Sequence, residues 1–93
     1  MYSIPRRLPN PNYHKTIAGR LAIESLSTRE IEVFELMGNG NTTREIAEFL
    51  GLQGKTVETH RARIRVKMRL GNGTQLLCAA ARWVYWKDRR RRT

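Results

Sequence analysis

Apolar side chains recur every three or four residues in four stretches of the chain, which is the spacing of one face of an α-helix. The stretches are EIEVFELM (residues 30–37), EIAEFL (45–50), VETHRARIRVKM (57–68) and QLLCAAARWVYWK (75–87). No stretch alternates convincingly between apolar and polar residues, as a half-buried strand would. The sequence therefore predicts an all-α fold built on four helices.

The first two of these helices begin with the same short pattern. Ser27 is followed three residues later by Glu30, and Thr42 is followed three residues later by Glu45. Each pair is a capping box, in which the hydroxyl and the carboxylate satisfy free backbone N–H groups at a helix start. The tetrapeptide TREI occurs twice for this reason, and the two segments diverge after it, so we predict no internal repeat.

Glycine and asparagine residues indicate where the helices end and begin. Gly38 and Gly40 are expected to end the first helix, and Gly51 the second. The third helix should run from about residue 54 to residue 68 or 69. Asn72 can cap the fourth.

The chain divides into three regions. Residues 1–24 include the proline-rich stretch MYSIPRRLPNPN and are predicted to form an extended arm, with room for one short helix over residues 13–23. Residues 25–87 carry the four helices and form the domain. Residues 88–93 are a basic tail.

Charge is unevenly distributed along the chain. The 93 residues carry a net charge of +10, made up of +4 over residues 1–23, −4 over residues 24–48 and +10 over residues 49–93. A basic balance of this size is typical of nucleic-acid partners. The small size leaves little room for a cleft, so an enzyme is the less expected class.

The composition also argues against several kinds of site. A single cysteine, Cys78, cannot form a disulfide framework or a cysteine-rich metal site within one chain. Prolines interrupt the N-terminal apolar residues, so no signal peptide or membrane span is predicted. We expect no cofactor, metal or small-molecule ligand, no membrane partner, and a cytoplasmic protein associated with the nucleoid.

The segment GLQGKTVETHRARIRVKMRL (51–70) contains Gly-Lys-Thr, the ending of a phosphate-binding P-loop. A P-loop needs a glycine five positions before that Gly-Lys pair, and Phe49 stands there. The P-loop is therefore excluded. A short helix, a turn of about three residues and a basic helix are instead the layout of a helix-turn-helix.

Placing the third helix at 100° per residue separates its faces. If Val57, Ile64 and Met68 face the core, the opposite side carries Lys55, Thr59, Ala62 and Val66. In a helix-turn-helix this second helix enters the major groove of DNA.

These residues resemble the LuxR/FixJ-type helix-turn-helix domain of bacterial transcription regulators. The resemblance covers residues 26–86, and its hallmarks are the pairs and triplets Arg29-Glu30, Glu45-Ile46-Ala47 and Lys55-Thr56-Val57, together with His60 and Ile64. It implies a four-helix domain that binds double-stranded DNA and dimerises through the last helix. It further implies that Glu58, Thr59 and Ala62 read bases and that Lys55 and Thr56 contact phosphate.

The chemistry of the side chains agrees with these roles. A carboxylate accepts from a cytosine amino group, and threonine and alanine contact a thymine methyl group. Arg63 or Arg65 can reach a guanine, and Arg63 is added to the base-reading set for this reason. The remaining basic residues of the helix are expected to contact phosphate, and these are Arg61, Arg65, Lys67 and Arg69.

The fourth helix is predicted to have two apolar faces. Leu76, Ala80 and Trp83 can close the core, and the second face is expected to form a homodimer interface composed of Leu77, Ala81, Val84 and Tyr85. A dimer would read two half-sites about one helical turn apart. The alternative is that residues 13–23 pack onto this second face.

Two functions remain open at this stage. The first is a sequence-specific transcription regulator of bacterial or phage type, expected to stand alone without a receiver or ligand-binding domain. The second is a protein-binding module that engages RNA polymerase or another regulator and has only weak nucleic-acid affinity. The clusters Arg6-Arg7 and 89–92 are either further DNA contacts or solvated charge.

The start of the third helix is weakly capped, because Gln53 stands where the family usually has Ser or Asp and Gly54 follows it. We predict that this turn is partly frayed in the free protein and becomes ordered on phosphate, since these residues together cost about 1 to 2 kcal/mol at a helix start. Amide hydrogen exchange at residues 55–57 should therefore be faster in the free protein than in a DNA complex. Equal protection in both states would contradict it.

Overall fold

A computed structural model describes residues 17–91 of the chain. It contains five helices, and no strand occurs between these limits, so the all-α prediction is confirmed. The helices are α1 (Ile17–Glu24), α2 (Thr28–Gly38), α3 (Thr43–Leu50), α4 (Gly54–Lys67) and α5 (Gly73–Arg91). Helices α2 to α5 correspond to the four predicted helices, and α1 lies in the stretch for which one short helix was expected. The predictions for Arg6, Arg7 and Arg92 lie outside the described residues.

Both predicted capping boxes are present. The Glu30 N–H donates to Ser27 Oγ at 3.1 Å, and the Ser27 N–H donates to Glu30 Oε1 at 2.8 Å. Thr42 and Glu45 repeat the arrangement at 3.2 and 2.8 Å. Helix starts with satisfied N–H groups are fixed in position, so the local sequence alone determines where α2 and α3 begin.

Helix α2 lies at the centre of the domain, because α3, α4 and α5 all pack against it. It contributes Val33, Phe34 and Met37 to the core, all of them fully buried. The Phe34 ring lies against the Trp83 ring of α5, with 5.4 Å between their centroids. The neighbouring elements supply the remaining core: Leu26 before α2, Ile46 and Ala47 from α3, Val57 and Ile64 from α4, Met68 after it, and Leu76, Ala80 and Val84 from α5.

The crossing of α2 and α5 is unusually close at Gly38. A Cβ atom added to Gly38 would lie 2.5 Å from Cγ2 of Val84 and closer still to the carbonyl oxygen of Ala80. Gly38 is still helical, and the left-handed glycine after α2 is Gly40, with φ of 91°. Gly38 therefore serves helix packing rather than chain reversal, a role that the sequence prediction did not give it.

This crossing corrects one predicted interface residue. Val84 was expected to face away from the core, but it is only 6% exposed and belongs to the core cluster. Leu76, Ala80 and Val84 follow one another at intervals of four residues and so lie on one face of α5. The missing side chain at Gly38 leaves room for Val84 against α2.

The far end of α5 also differs from the prediction. Asn72 Oδ1 accepts from the Gln75 N–H at 2.9 Å, so the predicted cap is present. The helix does not stop near residue 87, however, and continues through Arg91 for a total of 19 residues. Lys87 lies against α2 here, because its Nζ donates to Glu35 Oε2 at 2.6 Å and sits 4.8 Å from the centre of the Trp83 ring. Helix α5 therefore extends beyond the apolar stretch into part of the predicted basic tail.

Two glycine-to-alanine substitutions should have opposite effects on stability. Gly38→Ala is expected to lower the free energy of unfolding by about 1 to 3 kcal/mol, because overpacking at the α2–α5 crossing outweighs the gain in helix propensity. Gly54→Ala, at the first residue of α4, meets no atom within 4 Å and should be neutral or stabilising by up to about 1 kcal/mol. Urea unfolding of both variants measures the difference. Equal effects at the two positions would contradict the close crossing.

Candidate nucleic-acid interface

The position of α4 is set by a tight turn after α3. Residues 51–53 join the two helices, and Gly51 takes a left-handed conformation with φ of 67°. The Leu52 N–H donates back to the Ala47 carbonyl at 2.9 Å, and the Leu52 side chain packs on the core. The predicted arrangement of short helix, turn and basic helix is therefore present in the structure.

The two sides of α4 differ as the helical wheel predicts. Val57 and Ile64 are fully buried, and Met68 directly after the helix is nearly so. The opposite side is exposed, and we call it the outward stripe: Lys55, Thr59, Ala62 and Val66. Val66 is 77% exposed, an unusual position for a valine, and the sequence prediction gave it no role. Because of this polarity α4 leaves one full side exposed to solvent.

The four predicted base-reading residues, Glu58, Thr59, Ala62 and Arg63, are all exposed on α4. Two of them have intramolecular hydrogen bonds. Glu58 Oε1 accepts from the Thr43 hydroxyl of α3 at 2.9 Å, and the Thr59 hydroxyl donates to the Lys55 carbonyl at 3.1 Å. Because the hydroxyl hydrogen of Thr59 is used in this bond, the hydroxyl can only accept a hydrogen bond from an outside partner. The methyl group of Thr59 is also available for contact.

The residues predicted to contact phosphate fall into two groups. Lys55, Thr56 and Arg69 are exposed. The other three donate to partners within the protein: Arg61 Nη1 to the Thr43 hydroxyl at 2.9 Å, Arg65 Nη2 to the Gly71 carbonyl at 2.9 Å, and Lys67 Nζ to Glu30 Oε1 at 2.7 Å. The structure thus gives Arg61, Arg65 and Lys67 roles within the fold that the sequence did not reveal.

The bond between Lys67 and Glu30 joins the end of α4 to the start of α2. Glu30 is 3% exposed and is the buried charged residue of the described core, while the Lys67 side chain is 39% exposed. The same oxygen of Glu30 accepts from the Ser27 N–H, and Lys67 also donates to the Ser25 carbonyl at 3.3 Å. One carboxylate therefore caps α2 and anchors α4 together.

The environment of Glu30 changes its ionisation. Burial by itself raises the pKa of the carboxyl, but the hydrogen bonds from Lys67 and Ser27 and the positive charge of Lys67 outweigh this effect. The pKa of Glu30 is therefore below its usual value of 4.5. The carboxylate is charged, and it stabilises the fold in that form.

Helix α4 ends with a residue in a strained conformation. Arg69 has φ of 56°, in the left-handed region that glycine normally occupies after a helix. Its N–H donates to the Val66 carbonyl at 3.1 Å, and the Leu70 N–H donates to the Arg65 carbonyl at 2.9 Å, which are the two bonds of a Schellman motif. A non-glycine residue in this conformation costs about 1 kcal/mol. The chain thus has an exposed guanidinium at the end of α4, at a position where glycine would make the fold more stable.

The start of α4 has the weak cap that the sequence predicts. Gln53 makes no side-chain capping bond, and the Thr56 and Val57 N–H groups both use the Gln53 carbonyl, at 3.0 and 3.2 Å. The fraying of this turn stays a prediction.

Neither a metal-binding cluster nor a membrane-spanning helix occurs between residues 17 and 91. Within these limits no three His, Cys, Asp or Glu side chains lie together as a metal ion would require. None of the described helices combines the length and apolar character needed to cross a membrane.

Comparison with known proteins assigns the family. Residues 24–80 match the family described as bacterial regulatory proteins, luxR family. The chain belongs to the LuxR family. The matched segment includes α2, α3, α4 and the first part of α5, so it contains the whole helix-turn-helix. The resemblance inferred from the sequence pattern is confirmed.

Relatives of this LuxR-family chain are regulatory proteins by name. It is 46% identical over 57 residues to the uncharacterized response regulatory protein YgeK of Escherichia coli, a match to 61% of this chain and 39% of that protein. It is 39% identical over 57 residues to the tetrathionate response regulatory protein TtrR of Salmonella typhimurium, covering 61% of this chain and 28% of TtrR. It is 40% identical over 62 residues to the transcriptional regulatory protein UhpA of the same species, covering 67% and 31%. This chain thus spans well under half the length of these relatives, and no solved structure matches it.

Replacing the buried carboxylate should lower stability and reduce its pH dependence. Glu30→Gln is expected to lower the free energy of unfolding by about 1 to 2 kcal/mol at neutral pH, less than the roughly 3 to 5 kcal/mol of a fully buried pair because Lys67 remains partly solvated. The pKa of Glu30 is lower in the folded state than in the unfolded chain, so the folded state binds fewer protons. The difference between wild type and variant is therefore complete above pH 4.5 and shrinks as the pH falls through the lower folded-state pKa.

Urea unfolding at a series of pH values measures this difference. Glu48→Gln is the control, since Glu48 pairs with Arg44 at the surface and both side chains are largely exposed, so its effect should be small at every pH. If the difference in free energy of unfolding between wild type and Glu30→Gln stayed constant into strong acid, the lowered pKa of Glu30 in the folded state would be contradicted.

Proposed function

We propose that this chain is a sequence-specific, double-stranded DNA-binding transcription regulator that inserts α4 into the major groove. The observation that carries the proposal is the polarity of α4: Val57 and Ile64 are fully buried, while the outward stripe and the flanking Arg63 are exposed. A helix seated by its apolar side and free along the opposite side is the element that a helix-turn-helix uses to read bases.

The residues of α4 divide into base-reading and phosphate-contacting roles. Glu58, Thr59, Ala62 and Arg63 read base edges, with Glu58 accepting from a cytosine amino group and Ala62 contacting a thymine methyl group. Val66 extends the apolar part of this surface by one helical turn. Lys55 and Thr56 at the start of α4 and Arg69 at its end contact phosphates on either side of the groove. Three of the predicted phosphate contacts are left out of this set because each donates to a partner within the fold: Arg61, Arg65 and Lys67.

Membership of the LuxR family and the names of the relatives support a role in regulation. The net charge of +10 supports a polyanionic partner. A module that binds RNA polymerase or another regulator would not need an exposed base-reading stripe, so the geometry of α4 favours DNA.

Phosphate contact by Lys55 is measurable as a salt dependence. Lys55→Gln should weaken duplex binding at every sequence and lower the slope of log K against log salt concentration by about 0.9, because one fewer counterion is released. Arg82→Gln removes the same charge from an exposed position on α5 and should leave the slope close to that of wild type. Fluorescence anisotropy with a selected duplex and competitor DNA measures both.

Equal salt-dependence slopes for Lys55→Gln and Arg82→Gln would count against the insertion of α4 into the major groove. The protein-binding module would be favoured by two results together. Competitor DNA would abolish duplex binding by the wild-type protein at physiological salt, and the protein would still bind RNA polymerase.

We further propose that the protein is a homodimer formed through the outer face of α5, consisting of Leu77, Ala81 and Tyr85. All three are exposed, Leu77 to 48% and Tyr85 to 63%, and they lie on a helix whose other face is held in the core by Leu76 and Ala80. Apolar side chains that remain exposed along a well-packed helix are suited to a second copy of the same surface. Two copies would place two α4 helices on half-sites about one turn of DNA apart.

Disrupting the outer face of α5 should dissociate the dimer without unfolding the domain. Tyr85→Glu is expected to weaken self-association and to lower affinity for a two-half-site duplex more than for a single half-site. Leu21→Glu is the control, because Leu21 on α1 is exposed to a similar extent, 61%, and its substitution should leave association unchanged. Sedimentation equilibrium measures the mass, and a wild-type protein that stayed monomeric at high concentration would contradict the dimer.

A further inference from the structure

One hydroxyl group links α3 to two charged side chains of α4. The Thr43 hydroxyl donates to Glu58 Oε1 at 2.9 Å and accepts from Arg61 Nη1 at 2.9 Å. Thr43 is the first residue of α3, half-buried, and lies 15 residues from Glu58 in the chain. The arrangement is therefore a tertiary contact across the two helices of the helix-turn-helix.

The direction of both bonds follows from the chemistry of the groups. A carboxylate only accepts and a guanidinium only donates, so the single hydrogen of the hydroxyl must go to Glu58 while its lone pair receives Arg61. Thr43 is thus able to hold both side chains at once.

The hydrogen bond from the Thr43 hydroxyl has its main effect on the conformation of Glu58. An exposed glutamate has several rotatable bonds and loses rotamer freedom when it is held in one conformation. With Oε1 fixed by Thr43, the other oxygen, Oε2, makes no hydrogen bond among the described residues and is available to a donor outside the protein. Arg61 donates to the same hydroxyl, so its guanidinium and the Glu58 carboxylate share one hydrogen-bond partner.

We propose that Thr43 is a positioning residue for base recognition, which restricts Glu58 to one orientation and thereby to one base pair of the target. The inference rests on the DNA-binding function proposed above and adds a specificity determinant from α3, outside the base-reading helix. Thr43 itself reads no base. Its effect is to make the carboxylate select a cytosine amino group at a fixed place in the groove.

The chain contains a matched control for this residue. Thr28 is the first residue of α2 and follows a capping serine, just as Thr43 follows Thr42, and both begin the same tetrapeptide TREI. Thr28→Val therefore makes the same chemical change at the same helical position. Thr43→Val removes both bonds of the hydroxyl, and Thr43→Ser retains them.

Selection of bound sites from random duplexes, followed by affinity measurements on the selected site and its single-base variants, tests the proposal. Wild type and Thr43→Ser should prefer the same base at every position. Thr43→Val and Glu58→Ala should both lose about tenfold in discrimination at one shared base pair and keep it elsewhere, as expected from one hydrogen bond to a charged group. Thr28→Val should select the wild-type site, and thermal unfolding should show similar midpoints for the two valine variants.

The failures of the two proposals are distinguishable. A wild-type protein that enriched no site would overturn sequence-specific binding, and the role of Thr43 with it. If wild type selected a site but Thr43→Val kept full discrimination at the base pair sensitive to Glu58→Ala, only the positioning role would be overturned. The same holds if Glu58→Ala had no effect on any base pair, or if Thr43→Ser failed to restore the preference.

Discussion

The connection between the central helix and α4 depends on one buried carboxylate. Glu30 completes the capping box of α2 and holds Lys67 at the end of α4, so the central helix and the exposed helix share a single charged contact. Helix α4 has a narrow apolar stripe and a surface that is otherwise basic or polar. Hydrophobic burial of Val57 and Ile64 seats the helix, but a narrow stripe alone leaves rotation about the helix axis weakly restrained. The ion pair at one end and the Thr43 network near the other restrict that rotation.

Two of the contacts made by charged side chains of α4 join the helix to a residue in the first turn of another helix. Glu30 lies in the first turn of α2 and Thr43 in the first turn of α3, each fixed by its own capping box. Short-range and long-range interactions therefore reinforce one another, because the cap holds the residue that in turn holds α4. The close approach of α2 and α5 at Gly38 holds α5 against the same central helix.

The sequence predicted the features that arise from local interactions. Capping boxes, the apolar stripe of α4 and the cap at Asn72 are patterns within a few residues, and the structure contains each of them. Features that need a second element could not be read in this way. Val84 is buried because Gly38 leaves space opposite it, Lys67 is engaged because Glu30 is buried nearby, and Thr43 meets Glu58 only once α3 and α4 are packed. A helical wheel shows which residues share a side but not what that side contacts.

At the end of α4, backbone conformation and charge favour different residues at one position. Arg69 occupies a left-handed conformation in which glycine would relieve strain, yet glycine would also remove an exposed positive charge from the end of α4. Sequences chosen for thermal stability alone would therefore converge on glycine there, while sequences chosen for contact with a polyanion would retain a cation. With Arg69 at this position, the domain keeps the positive charge and is less stable than it would be with glycine.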